Sequence, residues 1–499
     1  LSDASNPLDA HPLSQPVSGF RSRILLWPLW LGVRWLGVNE LGARMPMAAM
    51  ALLSLTVIFA LGSWLRSRST GMLAGLVLLS TPLFFMSARL ASLSLMPILA
   101  QSLSVLGLAL FSWPRGGAAA PSTSLSMVMG AALAAVGLTL GGLSSGMLVG
   151  VAVPAAAVAL AMSLAGSPTE GTDGRRQMIC LGLLGLLLGA ALLPVVRLVV
   201  EHAAQTAKAA GATAAQGASS LRMQVAAAAL LSAAAVLWLL GRRGVAWVLA
   251  ALVVAVGVLP AGPAEKVTGY SPWLAGVLHW PGNREVQIDT LVRSLGFALF
   301  PWSGVVAAAI AGLFSWVGSQ LASADGGEAT AGTGDSAATS SAEGAWQLFS
   351  SLLPLCWFCV GYVFVTLYSA QVGDVAFAPL AAPVLLVAIY LDRALSDDAS
   401  GGTLAELCVG LGVVVVGRDF FLSPELYVST HVGETLRWPA PLGSVGKALM
   451  LGSLGLGALW GVALALRGRL RRLLLPLGLV GALGLALGAV HGLMPALAR

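Results

Sequence analysis

Hydrophobic positions along this chain fall in long unbroken runs. Apolar segments occupy about 45–64, 71–88, 93–113, 125–143, 147–165, 178–199, 223–240, 244–261, 301–319, 347–369, 374–391, 404–417, 446–466 and 473–494. A helix needs about 20 residues, range about 17–25, to cross a bilayer, whereas a membrane strand alternates apolar and polar side chains. The pattern therefore predicts an all-α fold, a polytopic transmembrane helix bundle of about 12–14 spans, with 404–417 the shortest run. Two stretches differ from the runs. Residues 24–38 (ILLWPLWLGVRWLGV) hold three tryptophans and one arginine and are too short to span comfortably, which predicts an interfacial helix. In 286–300, Ile288, Leu291, Val292 and Leu295 share one helical stripe, predicting a second amphipathic helix that leads into Pro301-Trp302.

The polar positions between the runs set an orientation. If 45–64 runs into the cytoplasm, that side collects Arg66, Arg68, Arg115, Arg175, Arg176, Arg242, Arg243, Arg393, Arg467, Arg469, Arg471 and Arg472. Every double-arginine pair then lies on one face, as positive-inside sorting requires. The external face receives 1–44, 200–222, 262–300 and 418–445. Four divisions follow: an external N-terminal segment with an interfacial helix (1–44), an N-terminal membrane helix bundle (45–319), a linker (320–345), and C-terminal membrane helices (346–499). The linker is rich in Gly, Ala, Ser and Thr, lacks aromatics and carries only acids, so it is expected to be disordered and cytoplasmic. The chain opens on Leu1 with no signal peptide, and further residues upstream of it are expected.

Composition narrows the class. Of 499 residues 57% are hydrophobic and 10% charged, against about 25% charged in soluble domains, which excludes a soluble protein. Four cysteines are too few for a disulfide scaffold. A net charge of +6 raises nucleic acid as a partner, but the basic residues sit in pairs at the ends of apolar runs, where they mark topology. The 60 glycines suit close helix contacts in lipid.

Soluble-enzyme signatures (a Walker A loop, HExxH, GxSxG) are absent from the sequence. No two of the five histidines have a ligand spacing, so neither a metal nor a cofactor is expected. Cys356 and Cys359 form a CxxC inside an apolar span and read as structural thiols. Charges beside the bilayer carry more information. Glu40 and Arg44 are four apart at the external start of the first span, and Arg89 lies in a short external hairpin (MSARLAS). Arg197 with Glu201 and Arg418 with Asp419 close spans on the same side. One reading is interfacial snorkelling with i,i+4 pairing. The other is a set of cations gathered to hold an anionic headgroup such as a phosphate.

The same residues carry a family resemblance. Gly37-Val-Asn-Glu40-Leu-Gly-Ala-Arg44-Met-Pro46 resembles the "G-x-N/S-E-x-x-A-R-L-P" opening of bacterial family 39 glycosyltransferases, of the C-type membrane superfamily. Gly71-Met-Leu-Ala-Gly75, Ser80-Thr-Pro82 and Ser87-Ala-Arg89 are similar to the segment that follows it. Further on, Gly296-Phe-Ala-Leu-Phe-Pro-Trp-Ser303 and Gly417-Arg-Asp-Phe420, Pro424-Glu425 and Arg437-Trp-Pro439 resemble stretches of proteobacterial members, in the same order. The resemblance implies a C-type fold in a bacterial inner membrane. It implies transfer of a sugar from a polyprenyl-phosphate donor to a lipid, glycan or protein acceptor on the external face. Arg44 and Arg89 would then contact phosphate or sugar, with Glu40 orienting Arg44. The family's general base is an acid of the first external loop, which motif order places upstream of Leu1, so no catalytic residue is assigned. Ser94 and Leu95 stand where a further acid is usual, and Gly373-Asp374 where basic groups are. The alternative is a catalytically silent relative or partner subunit that binds lipid-linked sugars, or a lipid or glycan transporter. Oligomeric state is not set by the sequence.

Overall fold

Helices account for all regular structure among the described residues. A computed structural model of the chain describes residues 27–89, 94–113, 123–165, 295–326 apart from 297, 334–372, 377–396, 442–465 and 477–488 apart from 486, with isolated positions between 414 and 422. The elements are α1 (Trp27–Leu36), α2 (Glu40–Leu65), α3 (Arg68–Ser80), α4 (Pro82–Arg89), α5 (Leu95–Ser112), α6 (Thr123–Met147), a π-turn (Leu148–Ala152), α7 (Val153–Ala165), α8 (Ser303–Gly326), α9 (Gly334–Val372), α10 (Ala381–Leu395) and α11 (Leu442–Ala465). Residues 477–485 are also helical. Among the described residues five stretches are long and apolar enough to cross a membrane: Glu40–Leu65, Leu95–Ser112, Leu125–Ser145, Gly344–Thr366 and Ala378–Leu395. The chain is an all-α, multi-pass membrane protein. The expected spans at 178–199, 223–240 and 244–261, most of 404–417, and the stripe at 288–292 lie outside the described residues.

Three elements differ from the run-by-run expectation. The apolar stretch 71–88 is not one continuous helix, because the helix stops at Thr81 and restarts at Pro82. Proline lacks an N–H and drives the preceding residue out of the α region, and Thr81 is extended at φ −72°, ψ 119°. The freed carbonyl of Val77 accepts the Thr81 hydroxyl at 2.7 Å. The run 147–165 contains the π-turn, where Gly141 and Gly150 bring two backbones into contact. In the Gly/Ala/Ser/Thr-rich stretch, residues up to Gly326 extend α8 and those from Gly334 begin α9. Alanine there tolerates helix as well as coil.

The chain divides into two units, each assembled from separated stretches. In one, α9 lies along α7. Gln101 of α5 donates from Nε2 to the Val149 carbonyl of the π-turn at 2.6 Å, while Trp357 Nε1 donates to Gln101 Oε1 at 3.1 Å. Trp113 stacks on Phe349 with ring centroids 4.9 Å apart. The other unit contains α1–α4, α8, α10, α11 and 477–488. Its α2 buries Met47, Ala51, Ser54, Ile58, Leu61 and Leu65, a stripe at spacings of four and three, and exposes Leu52, Leu53 and Phe59. Gly62 and Gly71 let α2 and α3 touch backbone to backbone, and α10 covers α3. Trp302, just before α8, donates from Nε1 to Ser80 Oγ at 2.8 Å and packs against Trp460 of α11.

Candidate functional site

The Glu40–Arg44 motif forms a corner between α1 and α2. Gly37 ends α1 in the left-handed region, φ +86°, where a side chain would be strained, and its N–H reaches the Val33 carbonyl at 2.9 Å. Asn39 then caps α2: its Oδ1 accepts the Gly42 N–H at 2.7 Å and its Nδ2 donates to the Leu36 carbonyl at 2.8 Å. One side chain thus ties both helix ends together. Glu40 opens α2, where the positive end of the helix dipole favours an acid. One turn on, Arg44 NH1 lies 3.5 Å from Glu40 Oε2, with the two side chains 64% and 83% exposed. Such exposed i,i+4 pairs contribute about 0.3–0.5 kcal/mol, so the pair adds little stability.

Alpha1 crosses α2 at this corner because Gly32 and Gly42 lack side chains. A Cβ on Gly32 would lie 2.1 Å from the Gly42 carbonyl oxygen. Around the charges stand Trp35, Val38, Leu41 and Met45, each more than half exposed. Arg34 lies over the Trp30 ring, 5.0 Å from its centroid. Charges set in an exposed apolar collar suit a membrane–water boundary.

Arg89 is the last residue of α4, which packs against α2. Its side chain lies outside the described residues. Counting from the α2–α3 turn, Arg44 is 22 residues back from Arg66 and Arg89 is 21 residues on from Arg68. Both α3 and α4 pack against α2, with the break at Thr81 and Pro82 between them. Ser94, where an acid was of interest, pairs with Ser87 through their hydroxyls at 3.1 Å.

At the opposite end of this hairpin is a cluster that sequence reasoning did not single out. Asp392 of α10 is buried, and its Oδ2 accepts Arg66 Nε at 2.9 Å, Thr70 Oγ1 at 2.8 Å and Ser67 Oγ at 3.3 Å. Its Oδ1 accepts the Ser69 hydroxyl. Ser67 also caps α3, accepting the Thr70 N–H at 3.1 Å. A carboxylate with four donors is spoken for, and its role is to fasten α10 to the α2–α3 turn. The legible signal is an acid at the end of an apolar run, with a hydroxyl-rich Arg66-Ser-Arg-Ser-Thr70 elsewhere. Both ends it joins had been assigned to the same face by arginine sorting.

Arg197, Glu201 and Asp419 lie outside the described residues. Cys356 is buried and Cys359 exposed, both as free thiols one turn apart on α9. Among the described residues no group of three His, Cys, Asp or Glu could hold a metal.

No family model matches the chain, and no curated protein matches it. Two solved structures resemble it, both of ArnT from Cupriavidus metallidurans. The apo form aligns at 15% identity with a TM-score of 0.48, and the form bound to undecaprenyl phosphate at 15% with 0.40. Each alignment covers 94% of this chain and 65% of the other, so the chain spans less than two thirds of their length. Likeness at that level does not establish a shared fold.

Proposed function

We propose that the chain is a membrane glycosyltransferase of the C type that takes sugar from a polyprenyl-phosphate donor at the external ends of α2 and α4. The observation that carries the reading is the convergence of two motifs. Asn39-Glu40…Arg44 opens α2 and Ser87-Ala-Arg89 closes α4, 45 residues apart from Arg44 to Arg89, and α4 packs against α2. Arginine presents a planar fork of donors suited to phosphate oxygens, and a lipid-linked donor places its phosphate at the membrane boundary. Arg44 and Arg89 neutralise the leaving phosphate, while Glu40 fixes the rotamer of Arg44. The acceptor's proton goes to a base other than Glu40 or Asp392, since Glu40 faces Arg44 and Asp392 is fully hydrogen-bonded.

A second reading, a catalytically silent protein that binds lipid-linked sugar, is favoured by Ser94, which stands where the family resemblance leads to an acid and pairs with Ser87. Membranes carrying the chain, given labelled sugar on polyprenyl phosphate, separate the two. Transfer that falls at least about tenfold in Arg44→Ala and Arg89→Ala supports the enzyme, tenfold being what a lost charged contact of about 1.5 kcal/mol gives. Donor retained without transfer supports the silent binder, and transfer unchanged in both variants overturns the assigned site.

A further inference from the structure

The helix at 477–485 runs antiparallel to α11, with Gly452 against Leu485, Gly481 near Leu456 and Gly478 against Trp460. Beside this seam is a groove of about 820 Å³ lined by Leu449, Gly455, Leu456, Val480, Gly484 and Gly488 among others, all of them apolar residues or glycine. Three of its five glycines do not serve close packing among the described residues. A Cβ on Gly455, Gly484 or Gly488 would meet nothing within 4 Å, whereas one on Gly107 or Gly137 would strike a neighbouring backbone. The groove therefore is open where a Gly-rich seam is ordinarily filled.

Two features identify what fills it. Along α11 the lining runs from Ala448 to Leu459, about 17 Å at 1.5 Å per residue, while one leaflet of a hydrocarbon core about 30 Å thick is about 15 Å. A chain anchored in one leaflet fits that length, and a long polyisoprenoid would overrun it. At the end beside Ala448 stands Lys447, which is exposed and near enough to the α11 N-terminus to reach the headgroup level. We infer that the groove seats one acyl chain of an anionic glycerophospholipid, with the phosphate at Lys447. This site is separate from the proposed donor corner.

Native mass spectrometry of the full chain in detergent, titrated with phosphatidylglycerol or phosphatidylcholine of matched chains, tests it. A one-to-one adduct is expected, favouring phosphatidylglycerol about fivefold, the ratio set by one basic residue at an anionic headgroup. Lys447→Gln should abolish that preference and keep phosphatidylcholine binding. Gly484→Leu, which grows into open space, should reduce both adducts, and Gly484→Ala, with one methyl, should reduce them less while folding normally. Adducts unaffected by Gly484→Leu, or a headgroup preference that survives Lys447→Gln, would overturn the proposal. So would a dimer that vanishes in Gly484→Leu, because a second copy would then be the occupant.

Discussion

Asp392 shows what a single buried charge does in a chain that has few. It accepts one guanidinium and three hydroxyls, so removing it takes an acceptor from all four at once. Asp392→Ala should lower stability by about 3 kcal/mol, the low end for a broken buried pair because Arg66 keeps 31% of its side chain exposed. Thermal unfolding in detergent measures this. Asp392→Asn should cost less, since its amide oxygen still accepts from the hydroxyls. Arg66→Met with Asp392→Leu should recover most of the loss, and a double variant as unstable as Asp392→Ala would show that the charge pair is not the cause. At this scale the sequence was partly readable. Glu40 and Arg44 disclosed their pairing through spacing alone, whereas Asp392 and Arg66 are 326 residues apart and no periodicity links them.

Among elements, the corner of α1 and α2 is held by a cap and a close crossing. Asn39→Ala removes the acceptor for the Gly42 N–H and the donor to Leu36, and should destabilise by about 1 kcal/mol. Gly32→Leu forces the helices apart and should cost more, because its first side-chain atom already meets backbone. Tryptophan emission from a corner that carries Trp27, Trp30 and Trp35 would shift in the glycine variant and much less in the cap variant. The helix at 27–36 was legible as a short apolar stretch. The interruption of 71–88 was less so, since hydropathy does not register the single proline that divides it. The π-turn was also hidden, because it depends on Gln101 reaching across from α5 to take up its carbonyl.

For the molecule as a whole, arginine sorting assigns the start of α2 and the end of α10 to opposite sides of the membrane. Val38 is 87% exposed and Ser396 is exposed beyond the last turn of α10. With the four native cysteines replaced by alanine, Val38→Cys should react with an impermeant thiol reagent added outside intact cells, and Ser396→Cys only after lysis. Labelling of both from outside would overturn the orientation and, with it, the external placement of the donor corner. The helical class was readable from the lengths of the apolar runs. The grouping into two units was not, because each gathers stretches from distant parts of the chain.

The fastening of α10 to the α2–α3 turn also has a consequence in time. Arg66 leaves the ribosome 326 residues ahead of its carboxylate partner. At about 5–20 residues per second, the early hairpin waits roughly 16–65 s before that carboxylate is made. The tie between α10 and the α2–α3 turn therefore forms only after residue 392 has been made.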